Sequence, residues 1–285
     1  MTSERPHQAS AINGEMAVPI EVEHTAIAGL EELLGGIRCW RISHLIGIRD
    51  LRHRYARSKL GQLWLMMSTA MMIAAVAVVW SLLWAQPLHE LMPFIGVSLI
   101  IWSYLSQVLI DSASAFIGQN HLYLTQRMNF SVSIYSVIYK NTIIFAHNLV
   151  IIAVLIVAFK VPLNWYLIQI VPAFALTWIG MVSVGYLIAM TCVRYRDIIQ
   201  VITTWVTVLF FITPVMWKPE YLPREYHLVI QLNPLAQFLE LLRNPLLGQP
   251  VSPNTWLTTF VISLGGGFIA LVLIGRYHRR IIYWM

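Results

Sequence analysis

The sequence predicts an all-α polytopic membrane protein: six transmembrane helices, an N-terminal amphipathic interface helix, and re-entrant helices between spans five and six. Three observations predict it. Hydrophobic residues make up 58% of the 285-residue chain and charged residues 11%, whereas a soluble domain carries about 25% charged residues. Six stretches reach the roughly 20 apolar residues that a helix needs to cross hydrocarbon. No stretch shows the dyad alternation of a membrane β-barrel. Lipid offers no hydrogen bonds, so these spans must satisfy their own backbone groups as helices.

The polar opening, with Glu4, Glu15, Glu21, Glu23, Pro6 and Pro19, lacks the basic–apolar pattern of a cleaved signal. Residues 1–34 are expected to be a flexible cytoplasmic tail, and 35–285 a single membrane domain. The spans fall at about 63–85, 93–110, 142–159, 165–191, 198–217 and 256–275. Of the 19 Lys and Arg residues, eight precede the first span. Arg127, Lys140, Arg194, Arg196, Arg276, Arg279 and Arg280 fall on the same side of this scheme. Lys160, Lys218, Arg224 and Arg243 fall on the other. The positive-inside rule therefore puts both termini in the cytoplasm. The formal charge of +6 is concentrated at the membrane, so no nucleic-acid partner is expected.

Residues 37–59 read as a helix in the cytoplasmic interface. At 100° per residue Ile37, Trp40, Ile48, Leu51 and Tyr55 share a face, with Ile42 and Ile46 off it. Arg38, Arg41, Arg49, Arg52, Arg54 and Arg57 accompany that stripe. The planar guanidinium fork binds phosphate bidentately, so these six are candidates for positioning a partner or an anionic substrate. A bare positive-inside anchor explains them equally well. The polar loop 111–140 is long enough for a short helix clear of the membrane, and Gln119, Asn120 and Arg127 are candidates for gripping a partner. The connection of about 38 residues after the fifth span is rich in proline (Pro219, Pro223, Pro234, Pro245, Pro250, Pro253), yet 226–242 keeps considerable apolar character, which suits two helices dipping into the outer leaflet; an ordinary surface loop is the alternative.

No GxxxxGK[ST] phosphate loop occurs, and the span interiors hold no Asp, Glu, Lys or Arg, His147 being the one titratable group besides tyrosines. An internal ion-driven engine is therefore not expected. Cys39 and Cys192 form neither a disulfide framework nor a metal motif, and Asp50, Asp111 and Asp197 stand apart in sequence. No metal site and no catalytic residue is expected. Trp102, Trp165, Trp256 and Trp284 suit an interfacial belt. Trp80, Trp84, Trp205, Phe210 and Phe211 offer flat faces on which sugar rings stack, as does Trp178.

The run RDLRHRYARSKLGQLW from Arg49 to Trp64 resembles the entry to the first span in membrane subunits of bacterial polysaccharide ABC exporters, which carry O-antigen, capsule or teichoic acid chains. YRDIIQV from Tyr195, TPVMW from Thr213, NPLAQFLELLRNPLLG from Asn233 and the terminal YHRRIIYWM extend the likeness from about residue 35 to the end. Ser68 and Thr69 stand where the family often has a proline, so no kink is expected there. The resemblance implies a homodimeric permease in the cytoplasmic (inner) membrane, paired with two copies of an ABC ATPase that holds the ATP and Mg. It implies a lipid-linked polysaccharide substrate and a path at the dimer axis lined by spans one and five, hence by the five aromatics. It also implies that the arginines receive the lipid-linked end and that Gln119, Asn120 and Arg127 dock the ATPase. The alternative is an ABC permease for a drug or lipid.

Overall fold

The computed structural model describes residues 22–55, 62–125, 128–221, 223, 225 and 227–285, and among them there is no strand. The helices are α1 (Val22–Arg38), α2 (Trp40–Tyr55), α3 (Gln62–Trp84), α4 (Leu88–Gly118), α5 (Asn120–Thr125), α6 (Ser131–Ala158), α7 (Ile170–Arg194), α8 (Ile198–Ile212), α9 (His227–Leu232), α10 (Pro234–Leu246) and α11 (Pro253–Trp284), with short 3-10 turns at Trp165–Gln169 and Pro219–Tyr221. Five of these helices are long and apolar enough to cross a membrane: α3, α4, α6, α7 with its preceding 3-10 turn, and α11.

α4 is the centre. Leu91, Ile95, Ile100, Ile101, Leu105 and Val108 are all inaccessible or nearly so, because α3, α6, α7, α8 and α10 pack around it. α3 is the opposite case. It runs unbroken past Ser68, whose hydroxyl donates to the Leu65 carbonyl, and buries Ile73 and Ala77 against the bundle. Met67, Met71, Val79, Leu82 and Leu83 are exposed. α8 likewise buries Val206 while Val201, Trp205, Val208 and Phe211 are open.

Several expectations are corrected. Within the stretch expected as a fifth span, 198–217, the helix itself is shorter than expected, 15 residues or about 22 Å at 1.5 Å per residue, so that it reaches across a hydrocarbon core of about 30 Å only together with the non-helical residues that follow it. It stops at Thr213 because Pro214 cannot continue the ladder. The loop expected over 111–140 is mostly helix: α4 runs on to Gly118 and α6 begins at Ser131. Asp111 and Lys140 hold these extensions together, forming an ion pair at 2.7 Å. Gln107 and Asn141 each donate to the Asp111 carboxylate at 2.9 Å. Trp102, expected in the belt, is buried with its ring 5.7 Å from Phe210.

Residues 22–34 are also not a tail. They form most of α1, which packs along α11 and against α6. A Cβ on Gly29 would lie 2.0 Å from the Leu271 carbonyl oxygen, so that approach needs glycine. The face predicted for the interface helix is also revised. After a break at Cys39, α2 buries Ser43, Ile46, Gly47 and Leu51 against α6. Ile37 and Trp40 of the predicted stripe are exposed. Gly47 decides this, because it lets the α6 backbone come within 3.0 Å of where its Cβ would be. A stripe scored on hydrophobicity alone passes over it.

Glu32 fastens α1 to the start of α6, accepting from the Ser131 amide at 3.2 Å. The helix N-terminus favours its charge, as do His278 and the Phe130 amide, but burial outweighs them and raises its carboxyl above the usual 4.5. An acid whose folded pKa is raised weakens folding as pH climbs through the window from its ordinary value to the raised one. Glu32→Gln should therefore be as stable as wild type or more so at about pH 7, and its advantage should shrink as pH falls toward about 4. Thermal unfolding at both pH values checks this; an advantage that grows on acidification would reverse the sign.

Candidate functional site

The sequence motifs after the fifth predicted span meet in space. Asn233 accepts from the Leu235 amide at 3.0 Å, capping α10, and donates to the Thr213 hydroxyl at 2.8 Å. Arg243, buried in the last turn of α10, donates to the Pro214 carbonyl at 2.7 Å and to Ser98 of α4 at 3.4 Å. Its guanidinium lies 4.5 Å from the Phe94 ring centroid. The helix break at 213–217 is thus held by two side chains of the α10 motif. Gly248, just past α10, has φ +68°, and its Cβ would lie 2.1 Å from the Pro162 carbonyl oxygen. Both the left-handed turn and the close approach need glycine here.

This break shapes a cavity of about 740 Å³ at the end of the bundle away from the C-terminus, lined by Trp84, Phe211, Trp217, Tyr221, Ile230 and Gln86 among others. Trp84 packs against Trp80 with ring centroids 4.3 Å apart and planes tilted by 31°, and meets Tyr221 edge-on at 5.2 Å. The Trp80 indole donates to the Met216 sulfur at 3.2 Å, and the Trp217 indole to the Phe211 carbonyl at 3.3 Å. The cavity therefore offers flat ring faces, several already oriented by hydrogen bonds.

Of the five aromatics predicted from sequence, Trp84 and Phe211 line this cavity and Trp80 backs it. Phe210 turns inward onto Trp102. Trp205 is 58% exposed on the open side of α8 and is not among the lining residues. Trp217, Tyr221 and Ile230 were missed. Trp217 was counted inside a span and the other two lay in a proline-rich connection, so the pattern TPVMW was the one available signal.

The arginines are strung out rather than gathered. Arg38, Arg41, Arg49 and Arg52 are exposed. Arg41 sits 5.8 Å from the Trp40 ring centroid, and Arg49 pairs with its neighbour Asp50 at 3.1 Å, an exposed contact contributing about 0–1 kcal/mol. The Arg54 side chain and all of Arg57 lie outside the described residues.

At the elbow between α4 and α6, α5 is a short helix, and Gln119 just before it points inward. Gln119 accepts from the Ser133 hydroxyl and donates to Ser136 at 3.3 Å. Tyr123 is bonded to Ser133 and packs on Phe116 and Phe130. Gln119 thus braces the elbow. Asn120 is half-buried, His121 and Thr125 are exposed, and Arg127 lies outside the described residues. Among the described residues no cluster of His, Cys, Asp and Glu could hold a metal ion.

A family model described as ABC-2 type transporter matches residues 44–247, well over half of the chain. The chain belongs to the ABC-2 type transporter family. The matched region takes in α2 through α10, and so covers the elbow, the aromatic cavity and the Arg243 anchor. This ABC-2 type transporter is also 24% identical over 193 residues to the O-antigen export system permease protein RfbA of Myxococcus xanthus. That similarity covers 67% of the chain and 74% of the relative. Membership makes the chain a multi-pass membrane transport subunit of an ABC transporter, a class that works with a nucleotide-binding partner. α1 lies ahead of the matched region and α11 beyond it.

Proposed function

We propose that the chain is the membrane subunit of an ATP-driven exporter that moves a lipid-linked polysaccharide across the bacterial cytoplasmic membrane. The aromatic cavity carries this reading: its indole and phenyl rings present faces to a sugar chain while fixing few hydrogen bonds, which lets a polymer slide. The similarity to a permease named for O-antigen export supports it. The unit is a homodimer with two copies of an ABC ATPase that supplies ATP and Mg. The second copy covers the open apolar faces of α3 and α8, with their exposed Met, Leu, Val and Trp side chains, in place of lipid. Both termini are cytoplasmic. α8 makes a sixth crossing together with the turn at 213–217, and α9 and α10 dip back into the outer leaflet, where surrounding helices shield their backbone. The arginine row on α1 and α2 meets the phosphates of the lipid-linked end.

The test is reconstitution. Vesicles holding the permease and its ATPase should move lipid-linked polysaccharide when given ATP, and vesicles holding the permease alone should not. Uphill transport by the permease alone, or a complex that accepts a drug and ignores the polymer, would overturn the reading. Docking has its own test. Gln119 braces the elbow, so the contacts belong to the exposed side of α5, and His121→Glu with Thr125→Arg should reduce co-purified ATPase at least tenfold while the permease remains folded. An undiminished complex would move docking elsewhere.

A further inference from the structure

The corner where α1 passes into α2 lies over α6 and α7 and encloses a second cavity, of about 190 Å³. Its wall is aromatic. His44 stands 4.7 Å from Tyr139, and Tyr135 stacks on Trp178 at 5.8 Å with the planes 4° apart. Trp40 closes the outer side. Three polar atoms at this cavity have no hydrogen-bond partner: Ser43 Oγ, on a residue only 4% exposed, His44 Nδ1 and Thr142 Oγ1. Buried polar atoms in folded proteins are nearly always paired, so three around one cavity point to a polar group inside it. Two cations stand next in the chain to lining residues: Arg41, exposed, with its guanidinium 5.8 Å from the ring centroid of the lining Trp40, and Arg38, exposed, after the lining Ile37. Trp178, shared with this cavity, also borders an apolar groove of about 290 Å³ between α1, α7 and α11. The corner thus joins exposed cations, unpaired hydroxyl and imidazole groups, an aromatic wall and an apolar groove. A membrane phospholipid has the matching set of phosphate, ester and acyl chain.

We propose that this corner holds one glycerophospholipid per chain as a resident lipid. Its phosphate lies at Arg41, its ester oxygens meet Ser43 and His44, and its acyl chain runs past Trp178 along α1. The lipid mortars the α1–α2 corner to α6 and α7. This inference needs the chain's place in a membrane and does not rest on the polysaccharide reading, since a transporter of any cargo could hold such a lipid; it takes Arg41 out of the row that meets a lipid-linked end and leaves the other arginines to it.

The full-length permease, purified in mild detergent with its ATPase and washed free of loose lipid, is assayed by native mass spectrometry and by solvent extraction. Wild type should retain about one glycerophospholipid per chain. Retention should fall at least fivefold in Arg41→Gln and in Ser43→Leu/His44→Leu, while Leu167→Ser, exposed in the 3-10 turn ahead of α7 and outside both cavities, keeps its lipid. No stoichiometric lipid in wild type, or equal retention in all variants, would overturn the proposal. So would a site holding a polyprenyl-linked sugar carrier in place of the glycerophospholipid, an outcome that would favour the export reading. If the double variant does not run as a single folded species, Arg41→Gln on the surface and wild type decide the matter.

Discussion

Arg243→Ala should lower the stability of the purified permease by about 3 kcal/mol, from the sum of two losses. A hydrogen bond from a charged donor to a buried acceptor contributes about 1.5–3 kcal/mol, and the one to the Pro214 carbonyl is short, at 2.7 Å. The stacking over Phe94 at 4.5 Å adds about 0.5–2 kcal/mol. Removing a desolvated guanidinium returns part of this, because a buried charge replaced together with its partner is often neutral. Here the partner is a backbone carbonyl and stays behind. Arg243→Lys keeps the charge but not the planar stacking, and should fall between. Thermal unfolding in detergent reads the effect, which should appear first as exposure of 213–217 to protease. An unchanged melting temperature in the alanine variant would show that α10 does not depend on this anchor.

Trp80→Ala with Trp84→Ala should cut polysaccharide export at least tenfold at equal membrane abundance. Each ring contact contributes about 0.5–1.5 kcal/mol, and two contacts near 1 kcal/mol each correspond to a factor of roughly 30. Trp80 backs Trp84 at 4.3 Å, so either single change loosens the other ring and the two effects should overlap. Trp165→Ala is the control: this residue is 87% exposed in the 3-10 turn ahead of α7, outside the cavity, and its loss should leave export within about twofold. Trp205→Ala discriminates further. Its ring faces outward from α8 within one chain, so a strong defect there would indicate that the second copy brings it onto the path.

Much of the membrane region was legible because hydropathy over 20 residues is a one-dimensional property. The five long spans sit where their apolar runs sit, though α4, α6 and α11 outrun them. The excess helix is polar on one side and apolar on the other, and its charges pair as Asp111 with Lys140, so a hydropathy window stops too early. The site was half legible. Trp84 and Phe211 were marked as candidates by type and position, while Trp217, Tyr221 and Ile230 reach the cavity after a chain reversal that no periodicity announces. The docking candidate Gln119 was chosen for its polarity. Its amide is consumed by Ser133 and Ser136, partners one helix away.

By itself the sequence determined that the chain lives in lipid, that its long spans are helices, and that it carries no phosphate loop. Those conclusions follow from the free energy of moving each segment from water to hydrocarbon, which adds up residue by residue along the chain. Tertiary structure alone decided that residues 22–38 belong to the bundle, that Ile46 and Gly47 face inward, and that Arg243 clasps Pro214. Each depends on how closely two distant backbones approach, and on which buried polar atom lies within about 3 Å of another. Such distances are set by the packing of the whole bundle, and no local stretch of sequence contains them.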